Sequence, residues 1–372
     1  MTALYILLAI VLFGILVGVH EFGHFATARL FGVTVYEFSI GMGPKIFSKK
    51  SKKSGVTYSL RLFPIGGFCD MGEDITEEIE KKRKEKEAEK GADAGSDAGS
   101  EASAVSVADD PNHFSKKPVW QRILILIAGS ASNLLIGFLV MLILTAATPT
   151  LYSTTVKNFV QNASSYNSGL REDDEIVSIA GHRTHTGNEV VYRIVMDSAE
   201  PVDIVVIRDG ERIKLENVVF GTEEESGLTI GVRDFNICEA EKTPVTVLKT
   251  AFFNSKMTVD MVFDSLKGLI IGRFGLKDLS GPVGVTSAMT SAAKSGIYDL
   301  TYLFIVIAIN LGVVNLLPIP ALDGGRVVFR LIELVTRKKV KPEIEGYIHL
   351  GGMALLLLFI IIITVKDVIY LF

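Results

Sequence analysis

Two histidines and a glutamate lie inside the first long apolar run of this sequence, in the segment VGVHEFGHFATARL. Residues four apart on a helix share a face, so His20 and His24 can present their imidazoles to one metal ion. Glu21 follows His20 directly and can reach a water molecule held beside that ion. The spacing predicts a hydrolytic metal site with His20 and His24 as ligands and Glu21 as general base.

The surroundings of these residues favour a functional site over a structural role. In a soluble helix, two histidines four apart often satisfy ordinary hydrogen bonds in the core or at the surface. Here they lie in an apolar segment. A carboxylate at the centre of a bilayer costs about 2.5–3.5 kcal/mol on insertion scales unless it is paired, bound to a metal or faces a wet cavity. Metal ligation therefore accounts for the three polar side chains better.

A catalytic zinc site needs a third protein ligand, and the segment NLLPIPALDGGR near the end of the third apolar run supplies Asp323. Two prolines and two glycines in this segment are expected to open the helix. Unwound backbone at membrane depth is tolerated only where it is buried in protein or lines a water-filled cavity, so the break indicates a site. The alternative is an aspartate that caps a helix near the membrane interface.

The composition is typical of a membrane protein. Of the 372 residues 48% are hydrophobic, and the formal net charge is -4. Four apolar runs, near 3–31, 121–148, 299–321 and 350–372, can each cross a hydrocarbon core of about 30 Å, which takes about 20 helical residues. The first run lacks a basic region before it and contains charged chemistry, so we interpret it as a retained span rather than a signal peptide. We expect the lipid bilayer as a partner and no nucleic acid.

The placement of lysine and arginine predicts the orientation of the spans. Basic residues are concentrated after the first run and between the third and fourth runs, which places both segments in the cytoplasm. These residues are Arg29, Lys45, Lys49, Lys50, Lys52, Lys53, Lys116, Lys117, Arg122, Arg326, Arg330, Arg337, Lys338, Lys339 and Lys341. In the cell membrane, both termini and residues 150–298 are then extracytoplasmic, and the metal site lies toward the cytoplasmic side. Cys69 and Cys238, the only cysteines, would lie on opposite sides and could not pair.

The stretches between the spans have distinct patterns. Residues 57–74, TYSLRLFPIGGFCDMGED, are β-rich and broken by proline and glycine, which predicts a hairpin or looped strand pair at the membrane edge. Residues 77–110 are charged and then rich in glycine, alanine and serine, which is typical of a solvated linker. Short alternating strands from about 152 to 236 predict a soluble α+β domain, and residues 243–274 have the spacing of an amphipathic surface helix.

The predicted fold class is a polytopic α-helical membrane protein with four spans, a membrane-associated β-loop and an inserted extracytoplasmic α+β domain. The predicted segments are span one 1–32, β-loop 33–76, charged insertion 77–110, span two 111–150, α+β domain 151–238, amphipathic helix and loop 239–298, span three 299–326, cytoplasmic loop 327–349 and span four 350–372.

HEFGH in the first span together with NLLPIPALDGG in the third resembles the site-2 protease family of intramembrane zinc metalloproteases. The stretch YSLRLFPIGGF resembles the membrane-associated β-loop of the bacterial PDZ-containing group, which includes the regulator-of-sigma-E protease. The stretch WQRILILIAGSASNLLIGF is similar to the second-span motif of the family, with Gly129 and Asn133 in place and Ser130 where a proline is usual. Residues 166–181 resemble its PDZ module, so the resemblance covers nearly the whole chain.

The resemblance implies a Zn²⁺ cofactor and an intramembrane endopeptidase that cuts single-span membrane proteins, such as anti-sigma factors or remnant signal peptides. It implies that Asn315 holds the substrate backbone and that Asn133 helps near the substrate, although a polar asparagine equally serves helix packing. The PDZ-like domain would select or screen substrates whose extracytoplasmic part has already been trimmed.

Two other classes of protein have similar features. A membrane scaffold with a structural metal site would not need Glu21, because such a site requires no base. A metal or solute transporter would also gather polar residues in its spans, but the single histidine pair and the absence of inverted repeats disfavour it.

Overall fold

The computed structural model describes residues 2–72, 110–225 and 227–371. The insertion predicted at 77–110 therefore lies outside the described residues, apart from Asp110. The chain divides into two compact units, Met1–Gly137 with Ser265–Phe372, and Phe138–Asp264. In chain order the elements are α1 Thr2–Leu30, β1 Glu37–Lys50, β2 Thr57–Asp70, α2 Val119–Ala147, β3 Leu151–Phe159, α3 Ser164–Asn167, β4 Glu175–Ile179, β5 His182–Arg183, α4 Gly187–Asp197, β6 Val202–Arg208, β7 Glu211–Val218, β8 Gly221–Glu225, β9 Leu228–Val232, β10 Phe235–Ala240, α5 Pro244–Ile270, α6 Pro282–Ser295, α7 Ile297–Asn315, α8 Asp323–Thr336 and α9 Pro342–Leu371.

Four of the described helices, α1, α2, α7 and α9, are long and apolar enough to cross a membrane. Their apolar windows are at most one-third buried within the protein, so most of their side chains face outward, as expected for helices surrounded by lipid. The chain is therefore a polytopic membrane protein, as predicted from its hydropathy.

Small residues let these helices approach one another closely. A Cβ atom at position 312 in α7 would lie 2.9 Å from Leu134 in α2. At position 137 in α2 it would lie 2.7 Å from Ile309 in α7. Glycine at membrane helix interfaces is a usual means of close packing, because lipid provides no hydrophobic force between helices.

The β-loop is more complex than the predicted strand pair, because both of its strands bend. Residues 37–40 of β1 pair in parallel with 57–60 and antiparallel with 67–70, while residues 47–50 pair antiparallel with 57–60. The segment 67–69 of β2 thus has one neighbouring strand among the described residues, and its other edge carries no further described strand.

The third span is shorter than the predicted 299–326, because α7 ends at Asn315 and helix resumes only at Asp323. The predicted loop at 327–349 contains helical segments, since α8 continues to Thr336 and α9 begins at Pro342. Lysine and arginine residues predicted a cytoplasmic loop here, and within this segment Arg330 and Glu333 are buried and paired.

The second unit contains an antiparallel sheet of strand order β10-β3-β4-β6-β7, with β5 paired to β4 and a separate hairpin β8–β9. Its core is an aliphatic and aromatic cluster that includes Ile176, Ile194, Ile204 and Phe235. Helix α4 begins with a capping box between Thr186 and Glu189, in which each side chain accepts from the other's backbone N–H.

The segment predicted at 239–298 as one amphipathic helix and a loop contains two helices, α5 and α6. Pro282 stands in the first turn of α6, where its fixed φ favours helix and its missing N–H costs nothing. The sequence of α6 is rich in small residues and lacks a clear apolar stripe, so hydrophobic periodicity did not reveal it.

Candidate metal centre

His20 and His24 lie one turn apart in α1, and both side chains are buried. Nδ1 of His24 lies 2.8 Å from the carbonyl oxygen of Ile125 in α2. A carbonyl oxygen only accepts, so Nδ1 carries the ring proton and donates it, which leaves a lone pair on Nε2. This bond orients the ring so that Nε2 of His24 can serve as a metal ligand.

Two glycines make this contact between α1 and α2 possible. A Cβ atom at position 129 in α2 would lie 2.2 Å from Nε2 of His24. At position 23 in α1 it would lie 2.3 Å from the carbonyl oxygen of Ala128. Any side chain at Gly129 would therefore meet the nitrogen that is expected to bind the metal.

Asp323 is the first residue of α8, and its Oδ2 lies 2.9 Å from Nε2 of His20 and 3.2 Å from Nε2 of His24. The two glycines that follow it let the preceding segment fold tightly against the helix. A Cβ atom at position 324 would lie 2.2 Å from the carbonyl oxygen of Leu317, and one at position 325 would lie 2.5 Å from that of Ile319. The break in the helix thus brings Asp323 to the histidines.

The potential metal-binding atoms of His20, His24 and Asp323 lie close together. The two Nε2 atoms are 3.2 Å apart, and the three potential ligand atoms lie within 4.8 Å of one another. Oδ2 of Asp323 is buried and has no hydrogen-bond partner among the described residues. Lone pairs and a carboxylate gathered in this way repel one another, and a cation bound among them removes that repulsion. Two imidazoles and one carboxylate match the ligands of catalytic zinc sites, so the residues fit a zinc ion.

Asn133 in α2 is fully buried, and its side-chain amide lies 3.3 Å from Nδ1 of His20. The tautomer of His20 that binds metal through Nε2 carries its proton on Nδ1. A half-turn of the amide brings Oδ1 of Asn133 to accept that proton. Oδ1 has no other partner among the described residues, so this geometry favours an orienting role over the predicted contact with substrate.

Glu21 and the three candidate ligands line a cavity of about 190 Å³, whose other wall includes residues 67–71 of the β-loop. At Gly67, a Cβ atom would lie 2.8 Å from Cγ of Glu21 and 2.8 Å from the carbonyl oxygen of Ser39. The side chain of Glu21 therefore packs against the backbone of β2, beside the metal-binding atoms. A water molecule in this cavity is within reach of a glutamate base.

A cluster around Glu37 ties the two strands of the β-loop together. Its carboxylate accepts hydrogen bonds from Lys45 at 2.8 Å, Ser59 at 2.5 Å and Arg61 at 2.9 Å. Burial alone would raise the pKa of Glu37, but these bonds outweigh it and lower the pKa to about 2. The carboxylate is thus ionised at neutral pH and fixes the wall of the cavity. Burial raises the pKa of the nearby Cys69 thiol above its ordinary value.

Asn315 is half-buried at the end of α7 and is not among the residues that line the cavity. Sequence reasoning missed two contributors, the carbonyl group of Ile125 and the backbone of Gly67. A main-chain carbonyl leaves no signal in the sequence. The glycine pair in FPIGGF was a signal for close backbone approach, although it did not indicate which residue approaches.

The comparisons with known proteins agree with this chemistry. The model of peptidase family M50 matches residues 8–359. The regulator of sigma-W protease RasP of Bacillus subtilis is 32% identical over 416 aligned residues, which cover 96% of this chain and 97% of the relative. The zinc metalloprotease RasP of Geobacillus kaustophilus is 30% identical over 415 residues, with 96% of each chain covered.

Four apolar helices, a β-domain and this family match define the class as a membrane zinc metalloprotease. The chain belongs to peptidase family M50, the site-2 protease family. This membership supports an enzyme with a zinc cofactor over the scaffold and the transporter.

Proposed function

We propose that this protein is an intramembrane endopeptidase that hydrolyses peptide bonds in the transmembrane segments of single-span membrane proteins. His20, His24 and Asp323 hold the zinc ion, and Glu21 is the general base. The observation that carries the proposal is the convergence of three potential ligand atoms beside Glu21, in a cavity walled by a strand edge.

In the proposed reaction, the zinc ion and Glu21 have separate roles. When bound, zinc supplies Lewis-acid polarisation of the scissile carbonyl and lowers the pKa of a water molecule. Glu21 accepts the proton of the attacking water and passes it to the leaving amine. Asn133 and Ile125 keep the two imidazoles in the tautomer and orientation that ligation requires.

A substrate helix hides its peptide bonds in internal hydrogen bonds, so it must unwind before cleavage. The outer edge of residues 67–69 can hold the extended chain by strand addition, which uses backbone hydrogen bonds and demands little sequence specificity. Asn315, at the helix end that precedes the metal-binding loop, is proposed to contact the substrate backbone outside the cavity itself.

The second unit is proposed to be PDZ-like, within residues 151–238, and to screen substrates on the extracytoplasmic side. A cavity of about 470 Å³ beside α4, lined by Asn158, Asn188 and Asn236, supports a role in accepting a peptide. Under this proposal, a substrate with an intact extracytoplasmic domain is cleaved more slowly than its trimmed form. Equal rates for the two forms would contradict a screening role.

The proposed substrates are anti-sigma factors and remnant signal peptides. The name of the Bacillus relative, regulator of sigma-W protease, supports the first of these classes. Both classes have one membrane span and, after an earlier cut, only a short segment outside it. A strand-addition site has low sequence specificity, so it can accept substrates of both classes.

The decisive substitution is Glu21→Gln, measured with purified protein and a single-span reporter in lipid vesicles. It should abolish cleavage while zinc content stays at the wild-type level, because the amide removes the base but none of the ligands. The matched control is Glu211→Gln, at an exposed position of β7, which should cleave normally. Normal cleavage by Glu21→Gln would contradict the assigned base, and full zinc retention by His24→Ala would contradict the ligand set.

A further inference from the structure

One face of α9 contacts the segment that carries Asp323. Glu345, His349 and Gly352 follow one another at intervals of four and three residues, which places them on the same side of the helix. Glu345 and His349 are 2% and 9% exposed, whereas only 11% of the apolar window of this helix is buried. The two polar residues of this face therefore point into the protein, while most of the helix faces outward.

His349 holds the backbone two residues before Asp323. The N–H of Ala321 donates to Nδ1 of His349 at 3.0 Å. Ala321 has a φ of 78°, in the left-handed region that a residue with a Cβ atom adopts only at a cost. A backbone in this conformation needs support from its surroundings, and the imidazole provides an acceptor for its N–H.

The protonation of His349 follows from this bond. Because Nδ1 accepts, Nε2 carries the proton, and this atom is buried without a partner among the described residues. An unpaired buried N–H reduces stability, so an apolar residue would serve the packing of α9 better. The bond to Ala321 gives the reason for a histidine at this position.

The other two residues of this face contact the chain on both sides of Asp323, Gly352 before it and Glu345 after it. At Gly352, a Cβ atom would lie 2.4 Å from Cβ and 2.8 Å from the carbonyl oxygen of Pro320, so only glycine lets this loop pack so closely. Glu345 accepts two hydrogen bonds from Arg330 in α8, at 2.9 and 3.1 Å. The loop before Asp323 and the helix after it are thus both held by α9.

We propose that this face of α9 positions the third metal ligand, with His349 and Gly352 as positioning residues that set the direction of the Asp323 carboxylate. They act through the backbone of residues 320–321 and not by contact with the ion. The inference rests on the proposed function, because it requires Asp323 to be a ligand.

The test measures zinc affinity of the full-length protein in detergent by competition with a chelator, and the visible spectrum after cobalt substitution. Substitution of residues that orient a ligand typically weakens metal binding about 10- to 100-fold, and we expect this for His349→Leu. His349→Gln should recover most of the affinity, because its side-chain oxygen can accept from Ala321. A changed cobalt spectrum in His349→Leu would show that the ligand geometry, and not only the stability of the fold, has altered.

The chain offers a matched control in two adjacent glycines. Gly352→Ala should weaken zinc binding, whereas Gly351→Ala, with no atom within 4 Å of the added Cβ, should bind like the wild type. If His349→Leu does not fold, the comparison of Gly352→Ala with Gly351→Ala is the test. Equal zinc affinity of these two variants overturns the inference.

Asp323→Asn separates the inference from the proposal on which it rests. If Asp323→Asn loses zinc while His349→Leu and Gly352→Ala retain wild-type affinity and cobalt spectrum, the positioning role is wrong and the ligand set stands. If Asp323→Asn binds zinc as tightly as the wild type, the ligand set is wrong and the inference falls with it.

Discussion

The position of the His24 ring depends on a residue that has no side chain. Gly129 lies against Nε2 of His24, and Ile125, one turn earlier in α2, accepts the proton of Nδ1. Residues 125–129 of α2 thus hold the Nδ1 side of the ring by a hydrogen bond and leave room for its Nε2 side, because Gly129 has no side chain. Nε2, the nitrogen proposed to bind the metal, therefore lies beside Gly129.

Gly129→Ala should displace the His24 ring, because the new Cβ would lie 2.2 Å from Nε2. We expect zinc affinity to fall about 10- to 100-fold, as for other substitutions that misorient a ligand. Chelator competition measures this loss, and reporter cleavage should fall with it. Gly14→Ala in α1, with no atom within 4 Å of its Cβ, is the control and should leave both unchanged. If Gly129→Ala binds zinc with wild-type affinity, the absence of a side chain at Gly129 is not needed to position the His24 ring.

The two histidines and Glu21 could be predicted from the sequence because their relation is local to one helix. Asp323 could be predicted because a charged residue at a break in an apolar helix must be buried in protein or line a wet cavity. The carbonyl group of Ile125 could not, since it lies 101 residues from His24 in the chain and acts through the backbone. Asn133 was identified by resemblance, but its contact with His20 emerged only from packing.

Helix α8, which begins with Asp323, is tied to α2 by a buried ion pair. Arg122 donates to both oxygens of Glu333, at 3.0 and 2.7 Å, and the two side chains are 5% and 6% exposed. Burial would raise the pKa of Glu333, but the bonds from Arg122 outweigh it and lower the pKa below its ordinary value. The ion pair thus joins α8, which carries the proposed ligand Asp323, to α2, which orients the proposed ligand His24.

Arg122→Leu should destabilise the protein by about 3–5 kcal/mol, because it leaves the Glu333 carboxylate buried without its main partner. The double variant Arg122→Leu/Glu333→Leu should be more stable than Arg122→Leu alone, since an apolar pair needs no compensation. Thermal unfolding in detergent measures both. Lys214→Ala, which breaks an exposed pair with Asp203, is the control and should not shift the midpoint. A double variant less stable than Arg122→Leu would contradict this account.

The buried contacts of α8 could not be predicted from the sequence. Basic residues between the third and fourth apolar runs predicted a cytoplasmic loop, but the sequence does not reveal that Arg330 and Glu333 have partners inside the protein. The bends of β1 and β2 were missed for a related reason. Residues 37–40 pair with two separate segments, and alternation along one strand does not specify its neighbours.

The fold class followed from hydropathy because four long apolar helices are hard to place anywhere but in a bilayer. The orientation of the chain rests on the distribution of lysine and arginine, and stays a prediction. In a background with Cys69→Ser and Cys238→Ser, an impermeant thiol reagent should label Glu211→Cys in intact cells. It should label Lys52→Cys only after the membrane is permeabilised, and the reverse pattern would contradict the proposed orientation.

The most direct test of the zinc site is X-ray absorption at the zinc edge of the purified full-length protein. We expect one zinc per chain with only nitrogen and oxygen neighbours, at about 2.0–2.2 Å, as imidazole and carboxylate ligands require. Cys69 lines the same cavity and is the alternative ligand. A sulfur neighbour at about 2.3 Å, or an unchanged spectrum in Asp323→Asn, would contradict the assignment of His20, His24 and Asp323.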